Sequence, residues 1–220
     1  MKPFASLADI EALEQQALTD VAPQRTPYGL IRAAAERVPD REAFTFLRDA
    51  DLASEPQRVS YRELLAHIHR AANAFRALGV GPDDSVALLV PNMPEAHAAL
   101  WGAQLAGRVC PINTLLQPDH IAALMQAANA KVLVALGPNA DLAVWPVALQ
   151  VHAHHACTLV PITVTDAVPG LASLQDLMAL QPDMLTFEPD LNPDRVVALF
   201  HTGGTTGAPK LAQHTAGNEA

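Results

Sequence analysis

Residues 196–210 decide the fold, and they read Val-Val-Ala-Leu-Phe-His-Thr-Gly-Gly-Thr-Thr-Gly-Ala-Pro-Lys. The run begins as a buried strand and then breaks into a loop of glycine and threonine that Lys210 closes. Backbone N–H groups, hydroxyl donors and one cation together suit a polyphosphate ligand. An ordinary glycine turn would need only two of the glycines and Pro209, and it would leave the threonines and Lys210 without a role. The composition therefore favours a phosphate-binding loop.

Two widespread nucleotide-binding loops do not fit this run. A Walker P-loop has the pattern G-x-x-x-x-G-K-[ST], in which lysine directly follows the second glycine. Here Ala208 and Pro209 separate Gly207 from Lys210, and Leu211 stands where a hydroxyl residue would contact magnesium. No clear helix is predicted after the loop, and no G-x-G-x-x-G follows the earlier strands. A usual P-loop NTPase and a dinucleotide-binding fingerprint are therefore excluded.

The composition is that of a folded chain whose partners do not include nucleic acid. The 220 residues are 50% hydrophobic and 17% charged, which allows one large domain or two small ones. The formal net charge is −9, and lysine and arginine form no cluster. Because nucleic acids bind to basic surfaces, we exclude them as partners. No feature of the sequence indicates an oligomeric state.

The cysteines and a group of histidines bear on metal binding. Cys110 and Cys157 lie far apart with no paired spacing, which fits a reducing compartment and argues against a disulfide framework. Close to Cys157 are His152, His154 and His155. On a helix these spacings do not bring the side chains onto one face, so a solvated helix end is favoured over a metal site. We predict no metal-binding residues in the chain.

Targeting signals are absent from the sequence pattern. No apolar run approaches the length of a membrane span, so we expect no transmembrane segment. The first residues reach Asp9 too early for a secretory signal. The expected location is the cytoplasm.

Predicted helices and strands alternate along most of the chain. Helical patterns cover residues 6–17, 28–38, 61–78, 93–106, 118–129, 141–155 and 171–180. Strand patterns cover residues 43–47, 85–90, 108–112, 131–136, 159–164 and the run before the loop. This alternation predicts an α/β fold: a layered, mostly parallel sheet with helices on both faces. In such sheets ligands lie beyond the carboxyl ends of the strands, where the loop begins.

Local signals refine several of these elements. Ser60 and Glu63 form a capping box at the start of the helix at 61–78, and Gly79 suits the left-handed turn after it. His67 and His69 lie off the apolar stripe of that helix and are predicted to be solvated. Pro161 indicates that the strand at 159–164 lies near an edge of the sheet. The polar residues 48–57 predict a hairpin or loop.

The phosphate-binding loop resembles that of the adenylate-forming ligases, which include acyl-CoA synthetases, luciferases and peptide-synthetase adenylation domains. Their pattern, T-S-G-[ST]-T-G-x-P-K, matches residues 202–210 at every specified position except Gly203, where serine is common. Four earlier segments are similar to landmarks of the family's N-terminal region: residues 60–64, 79–86, 90–95 and 106–113. The resemblance covers the chain from about Tyr28 to its end. It implies an N-terminal lead-in segment at residues 1–27 that precedes the domain. Residues 28–220 would form an incomplete N-terminal AMP-binding domain, which would have the fold of the family's N-terminal subdomain.

The resemblance implies a two-step ligase. A carboxylic acid attacks the α-phosphate of ATP, with Mg²⁺ bridging the phosphates, and the acyl-adenylate is then transferred to coenzyme A. Backbone N–H groups at Gly203, Gly204 and Gly207 are expected to approach the phosphates. The hydroxyl groups of Thr202, Thr205 and Thr206 would donate hydrogen bonds to the phosphates. Lys210 would supply the positive charge. The general resemblance favours a fatty acid as substrate, although no residue identifies the acid.

Two departures from the family pattern qualify this expectation. The family usually has a Thr-His pair after the loop, whereas here Thr215 precedes Ala216. The chain ends at Ala220, before the family's adenine-binding segment, ribose-binding aspartate, acyl pocket and C-terminal catalytic lysine. We therefore predict no catalytic residue within the chain and no activity of the chain alone. The alternatives are a non-catalytic nucleotide-binding or interaction module that keeps the ligase fold, and an α/β domain whose loop is coincidental.

Overall fold

The computed structural model describes residues 5–21, 23–47, 54–164, 166–202 and 210–220. The helices in these ranges are α1 (Leu7–Glu14), α2 (Leu18–Val21), α3 (Pro27–Arg37), α4 (Tyr61–Ala77), α5 (Pro94–Ala106), α6 (Pro118–Ala127), α7 (Val144–His154), α8 (Leu174–Ala179) and α9 (Ala216–Glu219). The strands are β1 (Glu42–Phe46), β2 (Gln57–Ser60), β3 (Ser85–Leu89), β4 (Arg108–Pro111), β5 (Ala130–Leu136), β6 (Thr158–Ile162), β7 (Val196–His201) and β8 (Leu211–Thr215).

The main sheet is mostly parallel, which confirms the predicted α/β architecture. Its six strands have the order β6-β5-β3-β4-β7-β8. Every neighbouring pair is parallel except β7 and β8, which form an antiparallel hairpin. Strands β1 and β2 form a separate antiparallel pair. The strand β6 lies at one edge, as Pro161 predicts.

Helices cover both faces of the sheet because the crossovers before and after β4 run in opposite directions across it. The connection through α5 leads to β4 on one side, whereas those through α6 and α7 lead to β5 and β6 on the other. Since such crossovers are right-handed, α5 lies on one face and α6 and α7 on the other. Contacts agree with this arrangement, since α4 packs on α5 and α6 packs on α7.

The core consists of the apolar central strands and small residues between the helices. All five residues of β3 are buried, as are residues 132–136 of β5, so both faces of these strands are covered. A Cβ atom at Gly102 would lie 2.7 Å from the Cβ of Ala71, so glycine permits the close approach of α5 to α4. A smaller cluster lies beneath the β1–β2 pair: Val59, Leu64, Ile68, Ala72 and Leu105.

The capping box predicted for α4 is present. The N–H of Glu63 donates to the Oγ of Ser60 at 3.3 Å, and the N–H of Ser60 donates to the Oε2 of Glu63 at 2.8 Å. Gly79 follows the helix with a φ of +84°, in the left-handed region that favours glycine. Local sequence therefore determines both ends of this helix.

Three parts of the prediction differ from the structure. The helix predicted at residues 6–17 is shorter and is followed by a second short helix. The strand β2 begins at the end of the segment predicted to be a loop, and its only buried residue is Val59. The strand β8 and the short helix α9 follow the phosphate-loop segment and were not predicted. Pairing with neighbouring strands, rather than a local apolar pattern, stabilises β2 and β8.

The side chain and the backbone carbonyl of Asp84 together join the starts of three strands at the amino edge of the sheet. Its Oδ2 accepts from the N–H of Gly81 at 2.8 Å and pairs with the Nζ of Lys131 at 2.7 Å. Its Oδ1 accepts from the amide of Asn129 at 3.0 Å. The backbone carbonyl of Asp84 accepts from the N–H of Arg108 at 2.9 Å. Burial alone would raise the pKa of this carboxyl, but Lys131 and these donors hold it below its ordinary value.

We expect Asp84→Ala to destabilise the chain by about 1–3 kcal/mol, because it removes the acceptor of the Gly81 and Asn129 donors and the partner of Lys131. The matched control is Asp83→Ala, since the side chain of Asp83 is 89% exposed and pairs with Arg108 at the surface. The control should change the free energy of unfolding by less than about 1 kcal/mol. Urea denaturation measures both values, and equal losses in the two variants would contradict the assigned role of Asp84.

Three histidines on α4 and α5 are half-buried, so the prediction that His67 and His69 are solvated is wrong. His69 Nε2 lies 3.1 Å from the hydroxyl of Tyr28, and its Nδ1 lies 2.8 Å from the carbonyl oxygen of Asp183. The ring of His97 packs on that of Phe44. Burial lowers the pKa of His67, His69 and His97 below the ordinary value of 6.5.

This burial predicts that the chain loses stability in mild acid. A histidine whose pKa is lowered in the folded state binds a proton more readily in the unfolded state. The free energy of unfolding therefore falls as the pH drops below 6.5 toward the folded-state pKa. Urea denaturation at about pH 7.5 and about pH 5.5 measures this loss of stability. Both pH values lie above the range in which carboxylates titrate. The variant with His67, His69 and His97 replaced by glutamine should lose less stability between the two conditions. An unchanged loss would contradict the prediction.

Candidate functional site

A cavity of about 420 Å³ opens at the carboxyl edge of the sheet, where β3, β4 and β7 end. The ends of these strands and the first turns of α5 line it: Leu88, Val90, Pro91, Asn92, Ala96, His97, Leu100, Pro111, Ile112, Asn113, Phe200 and His201. Ligands of parallel α/β sheets bind at this edge. Most of the lining is apolar, and the polar groups come from asparagine and histidine.

The two ends of the predicted phosphate-binding loop lie beside this cavity. The N–H of Thr202 donates to the carbonyl of Lys210 at 3.1 Å, which closes the hairpin formed by β7 and β8. Both residues are exposed. Among the described residues, none forms an ion pair with the ammonium group of Lys210. The other predicted site residues lie outside the described ranges: Gly203, Gly204, Thr205, Thr206 and Gly207.

The loop connects two strands rather than a strand and a helix. His201 at the end of β7 pairs with Leu211 at the start of β8. The expectation that no helix directly follows the loop is therefore confirmed. Any anion bound here would contact backbone N–H groups and side chains of the loop itself, without the N-terminus of a long helix.

A hydrogen bond between the ends of β4 and β7 shapes the cavity wall. The N–H of Asn113 donates to the Nε2 of His201 at 3.2 Å. The Oδ1 of Asn113 in turn accepts from the N–H of Leu115 at 2.9 Å. Neither side chain was predicted as a site residue. Their positions directly after β4 and directly before the loop are the sequence signals that could have identified them.

His97 forms another part of the wall and was also not predicted. It lies in the first turn of α5, and the centroid of its ring is 4.7 Å from that of Phe44. Burial lowers the pKa of His97, which favours the neutral imidazole at neutral pH. A neutral ring can accept or donate a hydrogen bond without adding charge to the cavity. No local pattern in the sequence indicates this role.

Ala216, which replaces the histidine usual in the resembling family, does not line the cavity. Its side chain is buried, and its N–H donates to the carbonyl of Arg195 at 2.9 Å. It lies instead beside Tyr28 and Trp101, around a space of about 20 Å³. At this position the chain therefore contributes no polar side chain to the carboxyl-edge cavity.

The histidine group near the end of α7 does not form a metal site. Within the described ranges, no three His, Cys, Asp or Glu side chains are arranged to hold a metal ion. His152 Nδ1 lies 3.6 Å from Cys157 Sγ, and His155 Nε2 lies 3.3 Å from the carbonyl oxygen of Ala130. Burial raises the pKa of Cys157 to about 11 and that of Cys110 to about 12, so both free thiols are protonated at neutral pH.

Over the same described ranges, no helix combines the length and apolar character needed to cross a bilayer.

Comparison with known proteins identifies the family. The family model described as "AMP-binding enzyme" matches residues 31–219. The marinolic acid–CoA ligase of Pseudoalteromonas sp. (strain SANK 73390) is 33% identical over 211 residues, which cover 96% of this chain and 32% of that protein. The crotonobetaine/carnitine–CoA ligase of Salmonella arizonae is 33% identical over 165 residues, which cover 72% of this chain and 31% of that protein.

Solved structures agree on the fold. A Brucella canis acyl-CoA synthetase superposes with a TM-score of 0.74 at 19% identity, over 97% of this chain and 38% of that one. The chain thus spans about a third of the length of the curated relatives it matches. Because the family match covers residues 31–219, the chain belongs to the AMP-binding enzyme family, and the curated relatives reported above are CoA ligases.

Proposed function

We propose that this chain is the N-terminal part of an ATP-dependent acid–CoA ligase. The parent enzyme would activate a carboxylic acid as acyl-adenylate and transfer it to coenzyme A. The observation that carries the proposal is the position of Thr202 and Lys210, which close the loop beside a cavity of about 420 Å³ at the carboxyl edge. Family membership and the names of two related CoA ligases support the same reaction.

The loop is proposed to position and neutralise the phosphates of ATP. Lys210 would supply a point charge, and its exposed side chain is free to reach a ligand in front of the sheet. The hydroxyl group of Thr202, together with those of Thr205 and Thr206, would donate hydrogen bonds, and the glycines Gly203, Gly204 and Gly207 would let the backbone approach closely. These contacts bind and orient the phosphates and stabilise the charge that develops on them. We propose no catalytic residue within this chain.

The residues around the cavity fit ATP better than they fit a protein-bound metal. Lys210 suits a polyanion, whereas no carboxylate is among the described residues that line the cavity. Any Mg²⁺ would therefore be held by the phosphates, where it would neutralise charge during transfer. Coenzyme A would enter as the second substrate, as the names of the related ligases suggest.

The cavity favours an acid with an apolar body. Its wall includes Leu88, Leu100 and Phe200, with polar groups only at a few positions. We propose a fatty or related acyl chain as the substrate. Lysine and arginine do not line this cavity, so the acid's carboxylate would have to lie toward the loop, near Lys210. The free thiols Cys110 and Cys157 fit the reducing conditions of the cytoplasm, which we propose as the location.

The AMP-binding domain is proposed to begin near residue 28 and to include the rest of this chain, after a lead-in at residues 1–27. The chain alone is proposed to be inactive. It spans about a third of the length of the curated relatives it matches.

Replacing Lys210 by alanine in the complete ligase should lower ATP–pyrophosphate exchange by about 100-fold or more, because a preorganised charge near the phosphates is lost. Lys210→Arg keeps the charge and should retain more exchange than Lys210→Ala. The control is Arg62→Ala, which removes an exposed cation paired with Asp40 and should have no effect. Exchange should be assayed with a panel of carboxylic acids. No exchange of the unsubstituted enzyme with any acid would refute the ligase proposal.

The 220-residue chain should bind MgATP weakly, with a Kd above about 1 mM, because a phosphate loop alone buries little of the nucleotide. Calorimetric titration of this chain measures the affinity. Sub-micromolar binding that disappears in Lys210→Ala would contradict the prediction and support a different function, a non-catalytic nucleotide-binding module. Ala216, which is buried away from the cavity, is the observation that favours this second candidate.

A further inference from the structure

A second cavity, of about 280 Å³, lies on the opposite side of α5 from the candidate active site. It is enclosed by α4, the first turns of α5, the helix α8 and the β1–β2 pair. Its apolar wall includes Phe44, Leu64 and Met178. Neither Thr202 nor Lys210 lines it, so the proposed ligase reaction does not account for this cavity.

Five polar side chains line the same cavity: Gln57, His67, Arg70, Glu95 and Gln175. The two glutamines already take part in interactions of their own, and the amide of Gln175 bonds the backbone of Thr163. The Oε2 of Glu95 is fully buried and has no hydrogen-bond partner. Arg70 is half-buried and forms neither an ion pair nor a hydrogen bond with any residue in the described ranges. Buried polar atoms are nearly always paired, and an unpaired buried carboxylate oxygen costs free energy. An unpartnered buried acceptor and a cation with no partner among the described residues therefore line one small space.

The charges in the cavity specify the head group of a ligand. Glu95 requires a donor and Arg70 requires an acceptor, and their charges of opposite sign cancel. Burial lowers the pKa of His67, so its ring adds no charge at neutral pH. A ligand with only a carboxylate would leave Glu95 unpaired, and one with only an ammonium group would leave Arg70 unpaired. The complementary head is neutral overall and carries both a donor and an acceptor.

We propose that this cavity is a binding site for a small apolar α-amino acid. Its ammonium group would donate to Glu95, its carboxylate would accept from Arg70, and its side chain would pack on Phe44, Leu64 and Met178. The volume, at the lower end of the range for ligand pockets, suits a molecule of this size. The site does not depend on the proposed ligase function.

One ring contact lies between this site and the candidate active site. Phe44 lines the second cavity, and its ring packs on that of His97, which lines the first, with the centroids 4.7 Å apart.

Calorimetric titration of the 220-residue chain with L-phenylalanine and L-leucine, without nucleotide, tests the site. We expect saturable binding with a Kd below about 1 mM. N-acetyl-L-phenylalanine lacks the ammonium group and L-phenylalanine amide lacks the carboxylate, so each should bind at least about tenfold more weakly. Glycine, which has no apolar side chain, should not bind. Equal affinity for N-acetyl-L-phenylalanine would overturn the assigned head group.

Variants distinguish this site from adventitious binding. Arg70→Gln and Glu95→Gln should each weaken binding of L-phenylalanine by at least about tenfold, with thermal unfolding as the check that both variants are folded. The matched control is Arg62→Gln on the same helix, which pairs with Asp40 outside the cavity and should bind normally. No saturable binding of either amino acid at about 10 mM, or unchanged affinity in both variants, overturns the proposal. Because ATP is absent, failure here leaves the ligase proposal intact.

Discussion

The buried carboxylate of Asp84 is the constraint on which the rest of the sheet depends. It connects the start of β3 with the residues that open β5, while its backbone carbonyl holds the first residue of β4. A Cβ atom at Gly107 would lie 2.5 Å from that same carbonyl oxygen, so the junction before β4 has no room for a side chain. The amino edge is thus fixed by mutually dependent contacts. The opposite edge carries the ends of β3, β4 and β7, where loops of varied sequence can form a site.

The position of α5 explains where both cavities lie. The helix begins beyond the carboxyl end of β3, and its first turns have different neighbours on their two sides. Ala96 and His97 face the cavity at the strand ends, whereas Glu95 and Ala98 face the cavity beneath the β1–β2 pair. One helix therefore separates two chemically different spaces.

Sequence patterns predicted the parts of the molecule that depend on local residues. The unbroken apolar residues of β5 indicated a strand covered on both faces, and Ser60 with Glu63 indicated the start of α4. The strand β8 could not be predicted because its stability comes from pairing with β7. His67 is polar by type, and only the packing of α8 and β2 beside it shows that it is half-buried. The second cavity was missed for a similar reason, since its wall comes from segments far apart in sequence.

The two edges of the sheet differ in their capacity to accept another strand. At one edge, Pro161 deprives β6 of a backbone donor, which disfavours further pairing there. At the other edge lies β8, which contains no proline and has no outer neighbour among the described strands. An exposed edge of this kind is a template for an additional strand. Of the two edges, the side that carries the β7–β8 hairpin is therefore the better template for an additional strand.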